Sequence, residues 1–226
     1  MKTLIIFDCY QTLIHLKNLA KIIQDFLRSE LKMKISTQKI KHAYELIYYR
    51  YKFNHPRFKS PKDRQIFYLK YNQELIGILG CQINDAQAMK LNNLFGRSAY
   101  AIYPDVLSTL KYLKVKGLPL GIISNWTATL ARIMSKLALT KYFDFIYSSA
   151  NLKYEKPNPK IFTAALKHEL KRYHKIYYIG NDYQLDICPA RAAGLIPILV
   201  DRENFYSKKL ACRKITKLTQ LKKIIK

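Results

Sequence analysis

Asp8 ends an apolar run, KTLIIF, and is followed at close range by Tyr10 and Thr12. Three further groups with complementary chemistry lie far along the chain: Ser124 and Asn125 after LPLGII, Lys156 ahead of PNP, and Asn181, Asp182 and Asp186 after KIYYIG. A carboxylate can attack phosphorus or carbon and hold the product as a covalent ester. A serine hydroxyl and free main-chain amides can hold a phosphoryl oxygen, a lysine can neutralise charge, and further carboxylates can bind a divalent cation. Singly, each has a plainer explanation. An aspartate or serine after a strand often caps the next turn, and a lysine in a lysine-rich chain is usually a solvated charge. Their joint meaning depends on whether the fold brings them to one place.

At 226 residues the chain has room for one substantial core with an insertion, and not for three independent domains. Residues 2–7 form a β-branched apolar run, the pattern of a buried parallel strand that delivers its last residue to the carboxyl edge of a sheet. Open α/β sheets place their ligands at that edge. From 14 to 100 the texture is helical. Leu16, Leu19, Ala20, Ile23, Phe26, Leu27 and Leu31 keep one face, and Ile40, Ala43, Tyr44, Ile47, Tyr48 and Tyr51 keep another. Ser60-Pro61 supplies a cap and first-turn proline for a third helix reaching about Leu79, and Asn84 or Asp85 starts a fourth reaching Phe95. The aromatics Tyr48, Tyr51 and Phe53 fall at helical spacing and read as packing.

After Tyr103-Pro104 helix and strand alternate. A helix over 105–116 is stopped by Gly117 and followed by LPLGIIS; a helix over about 127–137 precedes FDFIYSS; a helix from Pro159 precedes KIYYIG; a short helix ends at Gly194, and IPILV is the final core strand. This alternation predicts an α/β fold with a Rossmann-like, doubly wound parallel sheet from residues 1–13 and 101–226, joined by right-handed crossovers. Residues 14–100 form an all-helical insert. Such a sheet gathers the four polar segments at one edge.

In order, and each at a strand end, FDCYQTL, IISNW, EKPNPKIF and IGNDYQLDICPARAAGL resemble the four motifs of the haloacid dehalogenase superfamily. The helical insert after the first motif resembles that family's cap domain, and the run from Ser124 to Val200 is most similar to its phosphatase-like hydrolases. The resemblance implies that Asp8 is the nucleophile, that Thr12 supports the first loop, and that Ser124 and Asn125 bind the phosphoryl group. It implies that Lys156 orients Asp8 and offsets charge, and that Mg²⁺ is held among Asp8, Tyr10, Asn181, Asp182 and Asp186. The expected activity is Mg²⁺-dependent hydrolysis of a small phosphomonoester through an aspartyl-phosphate on Asp8, with the cap setting the substrate.

Two positions depart from the phosphatase pattern. Where those enzymes usually carry an acid-base aspartate, two residues after the nucleophile, this chain has Tyr10 at the catalytic position. A phenol with an ordinary pKa of about 10 is a poor base at neutral pH. Where the closest fourth motifs have aspartate after the glycine, this chain has Asn181, with Asp182 next. Asn181 can ligate through its carbonyl, or Asp182 can shift in to pair with Asp186. Tyrosine at position 10 is also what haloacid dehalogenases have, and these need no metal. They differ in a fourth motif rich in serine and asparagine, and in a tyrosine six residues after the third-motif lysine, where this chain has Phe162. Arg50 is a candidate for their haloacid-binding arginine, and His15 and His55 are candidates for a replacement base. Three readings stay open: a phosphatase, a 2-haloacid dehalogenase, and a catalytically weak or inactive binding protein of the same fold.

The charge balance is unusual. Forty Lys and Arg face fifteen Asp and Glu, a net charge of +25 that attracts polyanions. The cations are spread through helices and tail with no recognisable nucleic-acid motif, so a small phosphorylated anion is the expected partner and nucleic acid the lesser alternative. No stretch approaches the roughly 20 apolar residues of a membrane span, and MKTLIIFDCY lacks the length and cleavage region of a secretory signal. Cys9, Cys81, Cys188 and Cys212 are widely spaced and suit free thiols in a reducing cytoplasm. Cys9 should point away from Asp8, and Trp126 reads as core.

Overall fold

The computed structural model of the protein describes residues 2–52, 60–97, 100–206 and 210–225. Phe53 and His55 lie outside them. Strand β1 (Thr3–Phe7) leads into the first polar loop, and β2 (Ile14–Leu16) pairs with β3 (Tyr100–Ile102) in a two-stranded ribbon. Between these come α1 (Leu19–Leu31), α2 (Thr37–Lys52), α3 (Pro61–Ile78) and α4 (Asp85–Arg97). The stretch expected to be purely helical therefore begins and ends in short strands. The triplets IHL and YAI at the two junctions lie side by side, and each supplies the main-chain partner that the other lacks in the local sequence.

The chain divides into two compact units, Met1–His15 with Ala101–Lys226, and Leu16–Tyr100. The helical unit has its own apolar core. Ala20, Ile23, Phe26 and Leu27 of α1, Ile40, Ala43 and Ile47 of α2, and Leu75, Ile76, Ala88 and Leu91 of α3 and α4 are all buried in one cluster. The helix starts follow local chemistry. Ser60 Oγ accepts the Asp63 amide at 3.1 Å with Pro61 at the first turn. Asn84 and Gln87 exchange main-chain and side-chain hydrogen bonds at 2.9 and 3.1 Å ahead of α4.

In the other unit α5 (Val106–Val115) leads to β4 (Leu120–Ser124), and α6 (Leu130–Lys136) leads to β5 (Phe145–Ser148). β6 (Lys175–Gly180), β7 (Ile196–Val200) and β8 (Arg213–Ile215) follow. All six lie parallel in the order β5-β4-β1-β6-β7-β8. IPILV is thus not the last strand. RKI extends the sheet by one edge position, too short and too charged to read as a core strand.

The chain travels one way from β1 to β4 and β5, then reverses to β6, β7 and β8. Right-handed crossovers therefore put α5 and α6 on one face. The helices Lys160–Ala165 and Cys188–Ala192 cover the other, packing Ile161, Phe162 and Ala190 against Leu4, Ile6, Ile123 and Tyr178. The reversal leaves β1 between β4 and β6, with Phe7 in register with Ile122 on one side and Ile179 on the other. This switch point is where a doubly wound sheet opens a crevice. No described helix is long and apolar enough to cross a membrane.

Candidate active site

Asp8 continues the line of β1 for one more residue, its amide donating to the Ile179 carbonyl at 2.8 Å. The backbone then turns back on itself. Leu13 and Ile14 amides donate to the Cys9 carbonyl at 2.9 and 3.1 Å, and Gln11 takes the left-handed conformation with φ 61°. A non-glycine residue at positive φ is held there by its surroundings, and such strain gathers at functional loops. Ser124 ends β4 beside it, and Gly180 ends β6 on the other flank.

Three charged groups meet at this edge. Lys156 Nζ donates to Asp8 Oδ1 at 2.6 Å and to Asp186 Oδ1 at 2.5 Å, with Lys156 only 4% exposed and Asp186 1%. Ser124 Oγ donates to the same Asp8 oxygen at 2.9 Å. Among the described residues nothing donates to Asp8 Oδ2, so one oxygen of the carboxylate is fixed and the other is left for chemistry. Burial pushes the Asp8 carboxyl above its ordinary range; Lys156 opposes this, and the neighbouring Asp186 adds to it. Burial alone would lower Lys156, but Asp186 and Asp8 outweigh it and hold the ammonium well above the usual lysine range. The buried trio carries two negative charges against one positive.

Asn125 is only partly buried and engages the Lys156 backbone. Its Nδ2 donates to the Lys156 carbonyl at 2.8 Å, and its Oδ1 accepts the Lys156 amide at 2.7 Å. The side chain expected to bind a phosphoryl group instead clamps the backbone of the lysine. Thr12 is fully buried, its hydroxyl donating to Asn181 Oδ1 at 3.3 Å, and Arg202 Nη2 donates to its carbonyl at 2.8 Å. The first and fourth segments are thereby tied together.

The adjacent pair Asn181 and Asp182 divides its work. Asp182 Oδ1 accepts the amides of Gln184 and Leu185 at 2.8 and 2.9 Å, capping the turn Tyr183–Ile187, while its own amide donates to Asp186 Oδ2 at 2.9 Å. Its carboxylate is turned to main chain, and Asn181 is the residue that faces the first loop. Gly180 is required by a close approach: a Cβ there would collide with the Asp186 side chain.

Tyr178, absent from the sequence-derived set, belongs to the cluster. Its hydroxyl accepts from Lys156 Nζ at 3.0 Å and faces the Ile123 carbonyl at 2.9 Å, with Asp186 Oδ1 at 3.3 Å. Burial holds the phenol well above its ordinary range, so it stays protonated. The signal was available: a tyrosine inside a buried strand needs a partner for its hydroxyl, and the period of two places Tyr178 on the side of Gly180.

The remaining candidates have these surroundings. The Tyr10 ring meets Trp126 edge to face at 6.4 Å. The His15 ring rests against Tyr103 at 4.7 Å. Arg50 is paired with Glu74 inside the helical unit. Cys9 is buried, and burial followed by the Asp8 charge pushes its thiol well above the ordinary range, which leaves it unreactive.

Among the described residues no three Asp, Glu, His or Cys side chains converge as a metal cage. Mg²⁺ needs no such cage; it commonly takes one or two carboxylates with waters and substrate oxygens. The unfilled lone pair of Asp186 Oδ2, the Asn181 carbonyl and the excess buried negative charge that Asp8 and Asp186 carry fit a divalent cation.

A buried carboxylate at the switch point of a parallel sheet, flanked by serine, lysine and a second carboxylate, is an arrangement able to carry hydrolytic chemistry. The chain belongs to the haloacid dehalogenase-like hydrolase family, whose model matches residues 5–200. It is similar to haloacid dehalogenase-like hydrolase domain-containing protein 3 of Danio rerio, 26% identical over 180 residues that cover 76% of this chain and 74% of that protein. It is 36% identical to the glyceraldehyde 3-phosphate phosphatase of Methanothermobacter thermautotrophicus over 102 residues, 45% of each chain. Among solved structures, the magnesium-bound HAD-hydrolase YfnB of Bacillus subtilis superposes with a TM-score of 0.76 at 16% identity, covering 99% of this chain and 98% of that one. A 2-haloacid dehalogenase from Pseudomonas syringae pv. Tomato superposes with a TM-score of 0.58 at 20% identity, covering 100% and 98%.

Proposed function

We propose that the protein is a Mg²⁺-dependent phosphatase of small phosphomonoesters that works through an aspartyl-phosphate on Asp8. The observation that carries this reading is the asymmetry of the Asp8 carboxylate, with Oδ1 held by Ser124 and Lys156 and Oδ2 unengaged. Oδ2 attacks phosphorus, the bond to the substrate's alcohol oxygen breaks, and that oxygen leaves with a proton from solvent. Water then attacks the same phosphorus, the bond to Asp8 breaks, and inorganic phosphate departs. Lys156 offsets the phosphoryl charge while pinning Oδ1, Asn125 holds the lysine's backbone, and Ser124 lies within reach of a phosphoryl oxygen. Asp8, Asn181 and Asp186 would hold Mg²⁺, with Tyr10 contributing only through its main chain; bound there, the ion supplies further neutralisation of phosphate charge. Asp182 is left as a cap. The unit Leu16–Tyr100, inserted directly after the nucleophile loop, acts as the cap that selects the substrate.

Because Tyr10 is a poor proton donor, aryl and acyl phosphates, with their better leaving groups, should be turned over faster than alkyl phosphates. The second reading, 2-haloacid dehalogenation, is supported by Tyr10 and by the Tyr178 hydroxyl on Lys156. A screen of phosphorylated metabolites and 2-haloacids, each with and without Mg²⁺, decides between them. Phosphate release confined to the Mg²⁺ arm is expected. Halide release without metal would transfer the assignment to dehalogenation, and release of neither would leave a binding protein.

A further inference from the structure

Of the net charge of +25, the sheet-bearing unit carries +15, and within that unit the charges are segregated. Residues 106–143 contain six Lys or Arg and no Asp or Glu, and residues 204–226 contain eight and none. The fold stacks helices from these two stretches, and Lys208, Lys209 and Lys226 lie outside the described residues. α5 and α6 come from the first; the turn Leu218–Gln220 and the helix Leu221–Ile224 come from the second, and α5 packs against both. One layer is therefore made of acid-free chain. The opposite layer, residues 149–194, mixes four acids with eight cations.

Of the four acids at the margins, Glu203 is exposed and in no ion pair among the described residues, and the other three are engaged. Asp144 pairs with Lys114 at 3.4 Å, Asp105 with Arg202 at 3.0 Å, and Asp201 with Lys214 at 3.3 Å. Lys111, Lys116, Lys217, Lys222 and Lys223 are exposed and make no ion pair among the described residues. Lys116 and Lys222, from the two different stretches, both lie on the Tyr112 ring, at 5.8 and 5.2 Å from its centroid. Surfaces that only need solubility intersperse both signs, whereas a single-sign face creates a field that gathers polyanions. Among the described residues of this flank the large exposed apolar side chains are Leu107 and Val115. Two such side chains are too few to anchor in a lipid interface, which takes a continuous apolar helix face.

We propose that the flank formed by α5 and the helix Leu221–Ile224 binds the phosphate backbone of single-stranded RNA without reading its sequence. The test is fluorescence anisotropy of a labelled uridine 20-mer across a salt series. It compares the full chain with the triple variant K116E/K222E/K223E and with a control of equal charge change on the opposite layer, K167E/K171E/K175E. Each single-strand phosphate contact contributes about 0.7 to the slope of log affinity against log salt, so the flank variant should lose about 2 from the slope. It should also lose at least tenfold in affinity at low salt, while the control stays within about twofold of the unmodified chain. Absence of RNA binding by the unmodified chain at about 50 mM salt would overturn the proposal, as would equal losses in the two variants. Tighter capture by phosphatidylserine vesicles than by the RNA would overturn it in favour of a membrane surface.

Discussion

Lys156 and Lys116 belong to the same unit and have opposite fates. The carboxyl edge of the sheet buries Lys156 between two carboxylates and a phenol, each within 3.0 Å of its Nζ. The α5 flank leaves Lys116 in water with other cations around it. At the edge, every charge is fixed by a partner, and removing Lys156 leaves two carboxylates stranded in low dielectric. On the flank, each charge is worth little alone and the effect is collective, long-ranged and sensitive to salt. Burial, and not residue type, decides whether a charge serves chemistry or attraction.

The contrast is tested most severely by Lys156→Met, which strands Asp8 and Asp186 together. Breaking a buried ion cluster from one side costs about 3–5 kcal/mol, so chemical denaturation should show a loss of that size together with loss of turnover. A loss below about 1 kcal/mol would mean that water, not Lys156, compensates the carboxylates.

Tyr178→Phe removes a hydroxyl that Lys156 and the Ile123 carbonyl both use. An unsatisfied buried partner costs about 1–3 kcal/mol. Turnover should fall by roughly tenfold with KM little changed, because the hydroxyl orients the lysine without touching substrate.

The adjacent pair in the fourth segment sharpens the comparison at finer scale. Asp182→Ala should cost about 0.5–2 kcal/mol through the lost cap and leave Mg²⁺ affinity unchanged by calorimetric titration. Asn181→Asp should tighten Mg²⁺ binding, because it adds a carboxylate on the side that faces Asp8. The reverse pattern would put Asp182 at the metal.

Asp8→Asn should lower turnover by at least about 10³-fold, as expected for a nucleophile, yet raise stability at neutral pH. Folding holds the Asp8 carboxyl above its ordinary value of 3.8, so the charged form costs stability above the folded value and costs nothing below the ordinary one. The variant's melting temperature should exceed the parent's by about 2–4 °C near neutrality, equivalent to about 1 kcal/mol at this size, and the gain should vanish on acidification through the carboxylate range. For the same reason, activity of the unmodified protein should fall away at a higher pH than an ordinary aspartate would dictate. The smallest effect belongs to the flank: Lys116→Gln should stay within about 0.5 kcal/mol of the parent.

The gathering of Asp8, Ser124, Lys156 and Asp186 beyond the carboxyl ends of the strands was legible because it depends on local pattern. Continuous apolar runs make the strands, Pro61, Gly117 and Gly194 punctuate the helices, and an alternating order forces a parallel sheet whose edge collects whatever follows each strand. Apolar spacing alone also marked the buried faces of α1 and α2. The short strands β2, β3 and β8 were not legible. Three residues carry too little pattern, and their partners are distant in sequence.

What the sequence by itself determined was the family of the fold and the set of polar residues delivered to the switch point, since both follow from near-neighbour periodicity and chain order. The tertiary structure decided which atoms use which partners. It turned Asp182 to its own main chain and Asn181 to Thr12, committed Asn125 to the backbone of Lys156, drew Tyr178 into the charge cluster, and stacked two acid-free stretches into one flank. Hydrogen bonds and Coulomb interactions act over a few ångströms in space regardless of separation along the chain, so these assignments exist only once the sheet has closed distant segments upon one another.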